Sequence, residues 1–202
     1  VSKTPASEWE QPAHSPALSG DAAWLAYQLD IPGASWIFVV NPTNPDTSNF
    51  FVGSNPSIDE VGSLIAHEYD TGAYGTVRVY ERSTGQSSEV ALDTSGNPPI
   101  TQCDHPIISA DSRYVAFHCY DPMTSHGAFD QVYVRDLQEQ TTKLASVGPS
   151  GQPANAPAIP SSMSYDGSKL IIESAASNLG QDSGGVTQVF VVPREFWKDG
   201  DP

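Results

Sequence analysis

The chain has 202 residues, of which 38% are hydrophobic and only 16% are charged. Its 24 acidic and 9 basic residues give a formal net charge of −15, which would repel a nucleic-acid backbone and an anionic membrane surface. No apolar run approaches the length of a membrane span, so membrane insertion is not expected. Sixteen glycines and seventeen prolines separate short segments without a helical period, and this composition predicts an all-β protein.

The N-terminal segment Ser2–Ser7 is predicted to form a strand. It precedes the sequence QPAH at 11–14, just as the segment Thr141–Val147, rich in β-branched residues, precedes QPAN at 152–155. By analogy, Ser2–Ser7 would be the outermost strand of a sheet whose other strands come from elsewhere. Pro5 is compatible with that place, because an outermost strand leaves one side without ladder hydrogen bonds.

A pattern of a proline, apolar residues, a polar turn and an alternating strand then occurs four times along the chain. The copies are SPALSGDAAWLAYQ, NPSIDEVGSLIAHE, HPIISADSRYVAFH and SSMSYDGSKLIIES, where a serine replaces the proline of the last copy. If Pro16, Pro56, Pro106 and Ser161 are equivalent, the spacings are 40, 50 and 55 residues. Repeats of roughly 40–50 residues are typical of propeller blades, and length differences are tolerated in their loops.

The third copy carries the clearest signature. Its turn at Asp111 is followed by two alternating strands, Arg113–Tyr120 and Gln131–Leu137, and then by Thr141–Val147. This order of segments resembles one blade of a TolB-like (PD40, WD40-like) β-propeller. The resemblance covers nearly the whole chain and implies an all-β propeller of about four four-stranded antiparallel blades in one domain, 1–202. Its parts would be a closing strand and linker at 1–14, repeats near 15–54, 55–95, 104–148 and 158–193, and a C-terminal tail at 194–202.

The strand count predicts how the propeller is finished. The fourth repeat ends after its third strand, near Gln188–Val192, and lacks an outermost strand, whereas Ser2–Ser7 is a strand without a sheet. The total is then sixteen strands, or four blades with one blade divided between the two ends. Ser2–Ser7 is therefore predicted to close the fourth blade, either in the same molecule or, by strand exchange, in a neighbouring one.

The two cysteines predict a disulfide. Cys103 and Cys119 lie eight residues on either side of Asp111, the predicted centre of a hairpin turn. Directly opposed positions of an antiparallel pair are close enough for a disulfide, whereas two buried free thiols are the alternative. The register, together with the exported setting that the resemblance implies, favours the disulfide. It therefore predicts an oxidising location, in the periplasm, at the cell surface or outside the cell.

The chain carries no recognisable catalytic motif, so we expect neither enzymatic activity nor a cofactor. A nucleophile elbow, a P-loop and a G-x-G-x-x-G sequence are all absent. The sequence HEYD at His67–Asp70 lacks the second histidine of a zinc-protease motif. Cys103, Asp104 and His105 form only a weak metal-ligand cluster and are better explained as the flank of a hairpin. The remaining histidines without metal-ligand spacing are His14, His105, His118 and His126.

Two groups of polar and aromatic residues allow more than one interpretation. Asp30, Asp70 and Asp121 each follow the second strand of a repeat, where they could form a calcium-binding rim or simply cap turns. Aromatic residues on the strands are expected to pack between blades rather than to bind sugars. They are Trp24, Trp36, Tyr114 and Tyr133, whereas Trp9 and Trp197 in the tails are expected to contact a partner or dock on the propeller wall.

The resemblance implies a role in protein interaction or as a scaffold. We therefore expect a non-catalytic, exported binding or structural module, whose partners are other proteins or further copies of the chain. Two alternatives stay open. The chain could be the propeller portion of a larger secreted hydrolase, acting on peptides or glycosides, or it could be a carbohydrate-binding propeller.

Overall fold

The structure is a computed structural model that describes residues 12–98, 101–120, 129–180 and 184–197. Fifteen strands in these residues form four antiparallel sheets, in each of which strands pair in chain order. The predicted all-β propeller fold is therefore confirmed, and we call the sheets blades I to IV. The predicted closing strand Ser2–Ser7 lies outside the described residues, so closure stays a prediction. No helix in the described part of the chain is long and apolar enough to cross a membrane.

Blades I and II each contain four strands. Blade I consists of β1 (Ala13–Leu18), β2 (Leu25–Ile31), β3 (Ala34–Val40) and β4 (Asn49–Val52), with a 3-10 helix at Pro45–Thr47 before β4. Blade II consists of β5 (Ser54–Ile58), β6 (Leu64–Asp70), β7 (Gly75–Glu81) and β8 (Gln86–Glu89).

Blade III has four strands and blade IV has three. Blade III consists of β9 (Cys103–Ile108), β10 (Tyr114–Cys119), β11 (Gln131–Asp136) and β12 (Thr141–Leu144). Blade IV consists of β13 (Ala158–Met163), β14 (Lys169–Ser174) and β15 (Gln188–Pro193), followed by a 3-10 helix at Arg194–Phe196. Among the described residues, β15 pairs only with β14, so its other edge faces no described strand.

Alternation along the strands explains how the blades pack, because successive side chains of a strand point to opposite faces. On β10, Val115 and Phe117 belong to the core between blades II and III, whereas Tyr114 and Ala116 belong to the core between blades III and IV. Every residue of β10 and β11 is buried. The innermost strands also contact one another in sequence, β1 with β5, β5 with β9, and β9 with β13.

The turn between the first two strands is held by a Ser-x-Asp sequence in blades I, III and IV. In blade III the hydroxyl of Ser109 donates to Asp111 Oδ1 at 2.6 Å and accepts the N–H of Tyr114 at 2.9 Å. In blade II, Asp59 stands where the other blades have serine, and its Oδ1 accepts the N–H of Ser63 at 2.8 Å. Val61 stands where the other blades have the turn aspartate, and the Asp59 carboxylate accepts the hydrogen bond in its place. The divergent second repeat therefore still forms its turn.

One residue of this turn has a left-handed backbone in all four blades, and in blade IV it is Gly167, with φ of 64°. A Cβ at Gly167 would overlap the ring of Tyr114 in blade III. We therefore expect Gly167→Ala to lower the free energy of unfolding by about 1–3 kcal/mol, measured by urea denaturation. Gly72→Ala is the control, since Gly72 also has a positive φ but a Cβ added there would meet no atom within 4 Å. Equal losses in both variants would mean that the contact with Tyr114 does not matter.

Candidate functional site

The innermost strands of all four blades line one open cavity on the propeller axis, with a volume of about 250 Å³. In three blades the lining residue lies in a bulge of the strand pairing and precedes a proline. These residues are Ser15, Asn55 and His105, with φ of 48°, 46° and 52°. Blade IV has Pro160 at this position, and its ring excludes a positive φ. Three polar side chains and one proline therefore surround the axis.

A hydrogen bond across the blade interface fixes the bulges at Asn55 and His105. The N–H of Asn55 donates to Gln28 Oε1 of blade I at 3.0 Å, and the N–H of His105 donates to Glu68 Oε1 of blade II at 2.9 Å. At the next interface Pro160 has no N–H to donate. His118 occupies the position in blade III that corresponds to Gln28 and Glu68. Between blades III and IV, Pro160 thus replaces the N–H donor and His118 replaces the side-chain acceptor. His118 is therefore available for other partners.

His118 instead joins a cluster of histidines and carboxylates beside the axial cavity. Its Nδ1 bonds to Asp104 Oδ1, and its Nε2 lies 3.2 Å from Asp130 Oδ2. The same Asp104 oxygen lies 2.7 Å from His105 Nδ1. The side chain of His118 is 10% exposed and that of His105 is 51% exposed, so the cluster runs from the interior to the surface of the cavity.

The charges of this cluster stabilise one another. Burial favours the neutral form of His118, but its bonds to Asp104 and Asp130 outweigh burial, and its pKa is raised. Burial likewise favours neutral Asp104, but the bonds from His118 and His105 prevail, and the pKa of Asp104 is lowered. The hydrogen bonds of the cluster therefore favour the charged forms of both Asp104 and His118.

The disulfide lies directly beside the cluster. Cys103 and Cys119 are cross-strand partners with Cα atoms 4.1 Å apart, and the structure joins them in a disulfide. The neighbouring pair in the same register is Asp104 and His118. The sequence symmetry about Asp111 that pairs the cysteines also places Asp104 opposite His118. This symmetry is the signal that could have predicted the cluster, whereas the spacing of the histidines along the chain does not reveal it.

Of the two interpretations of Asp30 and Asp70, a calcium-binding rim or turn caps, the hydrogen bonds of the described residues favour turn caps. The Asp30 carboxylate accepts hydrogen bonds from Ser35 at 2.7 Å and Gln28 at 2.8 Å, and its pKa is lowered to about 2 chiefly by these bonds. Asp70 Oδ1 accepts the N–H of Gly72 at 2.7 Å, as a turn cap does. Both act within their own blades. Asp121 lies outside the described residues, as do His126 and Trp9.

The aromatic residues mostly pack between blades, as predicted. Tyr114 and Tyr133 are buried, and Trp24 lies beneath the guanidinium of Arg82, whose Cζ is 3.6 Å from the ring centre. Trp36 is half-buried and packs against Phe50. The tail residue Trp197 is buried in the core between blades III and IV. Docking on the propeller wall, one of the two roles expected of Trp197, is therefore the observed one.

The face of blade IV that points away from blade III, called its outer face below, is a second feature of interest. Cross-strand pairing makes Val191 equivalent to Val39 and Val134, since these residues pair with Ile171, Ala26 and Ala116. Val189 and Val191 are 66% and 57% exposed. Their equivalents in blades I and III are at most 1% exposed, because the next blade covers them: Ile37, Val39, Val132 and Val134. Blade IV thus has an apolar face without a described neighbour.

Blade I has the complementary open face. The rings of Tyr27 and Phe38 stack with centres 5.7 Å apart, and Phe38 and Phe50 stack at 6.0 Å. Phe50 and Leu18 are largely exposed. The residues equivalent to Leu25 and Tyr27 in blades III and IV are fully buried against the preceding blade: Val115, Phe117, Leu170 and Ile172. Both ends of the row of blades therefore expose surfaces that are interior elsewhere.

Comparisons with known proteins show which solved structures share this architecture. No family model and no curated protein matches the chain. Among solved structures, TolB from Acinetobacter baumannii is 17% identical with a TM-score of 0.61, over 93% of this chain and 42% of that one. The tricorn protease is 14% identical with a TM-score of 0.60, over 87% of this chain and 17% of that one.

A third similar structure is the β-propeller domain of the Trilobed protease from Pyrococcus furiosus, described as having an open velcro topology. It is 13% identical with a TM-score of 0.56, over 81% of this chain and 48% of that one. The chain thus spans less than half the length of each of these proteins. Likeness at this identity establishes the architecture, and the chain has the fold of a TolB-like β-propeller.

Proposed function

We propose that the chain is a non-catalytic protein-interaction module, and that the partner packs against the outer face of blade IV. The observation that carries this proposal is the exposure of Val189 and Val191, whose equivalents in other blades are buried. Burying apolar area stabilises by about 25 cal/mol per Å², so a face of this composition gains most from being covered. The disulfide supports an exported setting for this module.

Backbone hydrogen bonds indicate which surface fits blade IV. A backbone hydrogen bond links the turn of each of blades I to III to the turn of the next blade. The N–H of Asp21 donates to the Glu60 carbonyl at 2.9 Å, and the N–H of Glu60 donates to the Ala110 carbonyl at 3.0 Å. The N–H of Asp111 donates to the Tyr165 carbonyl at 3.0 Å. In blade IV, Asp166 is equivalent to the donors Asp21 and Asp111. In blade I, Gly20 is equivalent to the three acceptor residues. This pattern supports a contact between blade IV and blade I.

We infer from this pattern that the partner is a second copy of the chain, associated head to tail. Such a heterologous contact would place blade I of one copy against blade IV of the next. Exchange of Ser2–Ser7 in the same contact would supply blade IV with a fourth strand and cover the edge of β15. Head-to-tail contacts produce rings when they close and filaments when they do not.

Sedimentation velocity over a range of concentrations tests self-association. Replacing both valines, in V189D/V191D, is expected to abolish the concentration-dependent assembly, because it puts two carboxylates into an apolar contact. Val61→Asp is the matched control, since Val61 is exposed on the turn of blade II, where the other blades carry aspartate. A wild-type chain that stays monomeric at all concentrations, or equal assembly of all three proteins, would contradict the proposal.

The non-catalytic part of the proposal has a separate test. The described residues bring together the histidine–carboxylate cluster, in which Asp104 and Asp130 already occupy both nitrogens of His118. The two cysteines beside that cluster offer no free thiol, because they are joined to each other. We expect no reaction with an active-site-directed serine probe, and stoichiometric labelling of the purified chain would contradict the proposal.

A second candidate function follows from the comparisons. Propellers of peptidases are among the similar structures, and this chain spans only 17% of the tricorn protease. We propose as the alternative that the chain is the propeller portion of a larger secreted hydrolase. Further blades of the same polypeptide would then cover blade IV. A parent gene that encodes more blades and a G-x-S-x-G hydrolase domain, together with a monomeric isolated chain, would favour this alternative.

A further inference from the structure

We propose that Asp104, His105 and His118 bind one divalent transition-metal ion at the rim of the axial cavity. One carboxylate oxygen and two imidazole nitrogens lie within 4.8 Å of one another, and in the described residues these three side chains alone form such a group. This proposal is independent of the open blade faces, because the three residues lie on β9 and β10 of blade III.

The chemistry of the three ligands selects the class of metal. Two imidazoles with one carboxylate suit Zn²⁺, Ni²⁺, Co²⁺ or Cu²⁺, whereas Ca²⁺ prefers six to eight oxygen ligands. In a tetrahedral zinc site with bonds of about 2.0–2.1 Å, neighbouring ligand atoms lie roughly 3.3 Å apart. Asp104 Oδ1 and His105 Nδ1 are 2.7 Å apart, and Asp104 Oδ1 and His118 Nδ1 are closer still, so the ion needs the Asp104 carboxylate to move away from both rings. His105 is half exposed and has room to turn.

Neighbouring groups hold each ligand in place. The disulfide between Cys103 and Cys119 ties together the residues next to Asp104 and His118, so the two ligand-bearing strands keep their register. Asp130 lies 3.2 Å from His118 Nε2, which leaves Nδ1 as the coordinating atom. A carboxylate behind a metal-binding histidine is the arrangement that fixes the ring orientation and raises ligand basicity.

The third ligand is positioned by its backbone. The N–H of His105 donates to Glu68 Oε1 of blade II at 2.9 Å, and the left-handed bulge at His105 directs the residue to the axial cavity. Three protein ligands leave a coordination position free on the side of that cavity. An open position of this kind can accept water or a side chain of a bound protein.

The convergence of these atoms requires a positive charge at His118, which either a second ring proton or a metal ion can supply. Both ring nitrogens of His118 face carboxylates, and His105 Nδ1 faces the same Asp104 oxygen. A neutral imidazole offers one N–H only, so His118 in that form cannot donate to Asp104 and Asp130 together. A metal ion between Nδ1 and Asp104 would satisfy both acceptors. The net charge of −15 further favours cation binding to this chain.

Zinc titration of the full, disulfide-intact chain against a chromophoric chelator is the test. We expect one Zn²⁺ per chain, at least a hundredfold loss of affinity in Asp104→Asn and His105→Ala, and about a tenfold loss in Asp130→Asn. His14→Ala is the matched control and should bind as the wild type does. His14 lies in blade I at the position of Asp104 and pairs with Asp30 at 2.9 Å, but none of the described residues joins them as a third ligand.

Each outcome decides for or against the site. Co²⁺ bound to the wild type should give the visible absorption of a tetrahedral site, and His105→Ala should remove it. Because the His105 side chain is exposed, this variant is expected to keep the far-UV circular dichroism of the wild type. An absence of stoichiometric zinc, or equal affinity of the wild type and His105→Ala, would overturn the proposal and leave the cluster as a hydrogen-bonded ion pair.

Discussion

The double variant C103A/C119A is expected to unfold with a free energy about 3 kcal/mol lower than that of the wild type. The disulfide closes a loop with a sequence separation of 16 residues. In the chain-entropy model, cross-linking a loop of about 15 residues stabilises the folded state by roughly 3 kcal/mol, because it restricts the unfolded chain. Both cysteines are fully buried in the core between blades II and III. Alanine is therefore used instead of serine, whose hydroxyl would be buried there without a hydrogen-bond partner.

Guanidinium denaturation of three samples measures this effect. The oxidised wild type, the reduced wild type and C103A/C119A should rank in that order of stability. The reduced wild type is the control for packing, because it keeps both sulfur atoms and loses only the cross-link. Two alkylatable thiols in native protein, or identical midpoints for the oxidised and reduced wild type, would show that the disulfide does not contribute.

His67 is expected to make the protein sensitive to mild acid. Its side chain is fully buried, its Nδ1 donates to the Glu68 carbonyl at 3.0 Å, and its Nε2 accepts from Ser87 Oγ at 3.0 Å. Burial lowers the pKa of His67 to about 4, and the charge of Arg78 acts in the same direction. The folded protein therefore resists protonation of His67 under conditions where the unfolded chain takes up a proton.

The direction of the pH effect follows from this difference. The unfolded chain protonates His67 as pH falls below about 6.5, whereas the folded protein does so only near pH 4. The stability that neutral His67 contributes is complete above pH 6.5 and is lost as pH falls towards 4. At about 1.4 kcal/mol per pKa unit, the loss is of the order of 3 kcal/mol.

Urea denaturation between pH 7.5 and pH 4 measures this loss. His67→Gln retains an amide that can donate to the Glu68 carbonyl, but it has no group that titrates in this range. The difference in unfolding free energy between wild type and His67→Gln should therefore change by roughly 3 kcal/mol across the range. Parallel curves for the two proteins would show that the pKa of His67 is not lowered by folding.

Local chemistry explains which parts of the fold the sequence predicted. The hairpin turn at Asp111 and the alternation of Val115 and Phe117 with Ala116 depend on neighbours within a few residues. The same local pattern recurs in each blade, and this repetition, together with the resemblance of one copy to a TolB-like blade, predicts the propeller. The register of Cys103 and Cys119 also follows from the turn, because strands joined by a short turn have few alternative pairings.

The sequence symmetry about Asp111 sets Asp104 opposite His118, but tertiary structure decided the rest of the candidate sites. Val189 and Val191 have the same apolar pattern as Ile37 and Val39, and only the presence or absence of a covering blade separates an exposed face from a core. His105 reaches Asp104 through a left-handed bulge, which strand alternation does not encode. The sequence by itself thus determined strands, turns and repeats, which arise from short-range geometry. Burial and the grouping of charges were decided by contacts between strands and between blades.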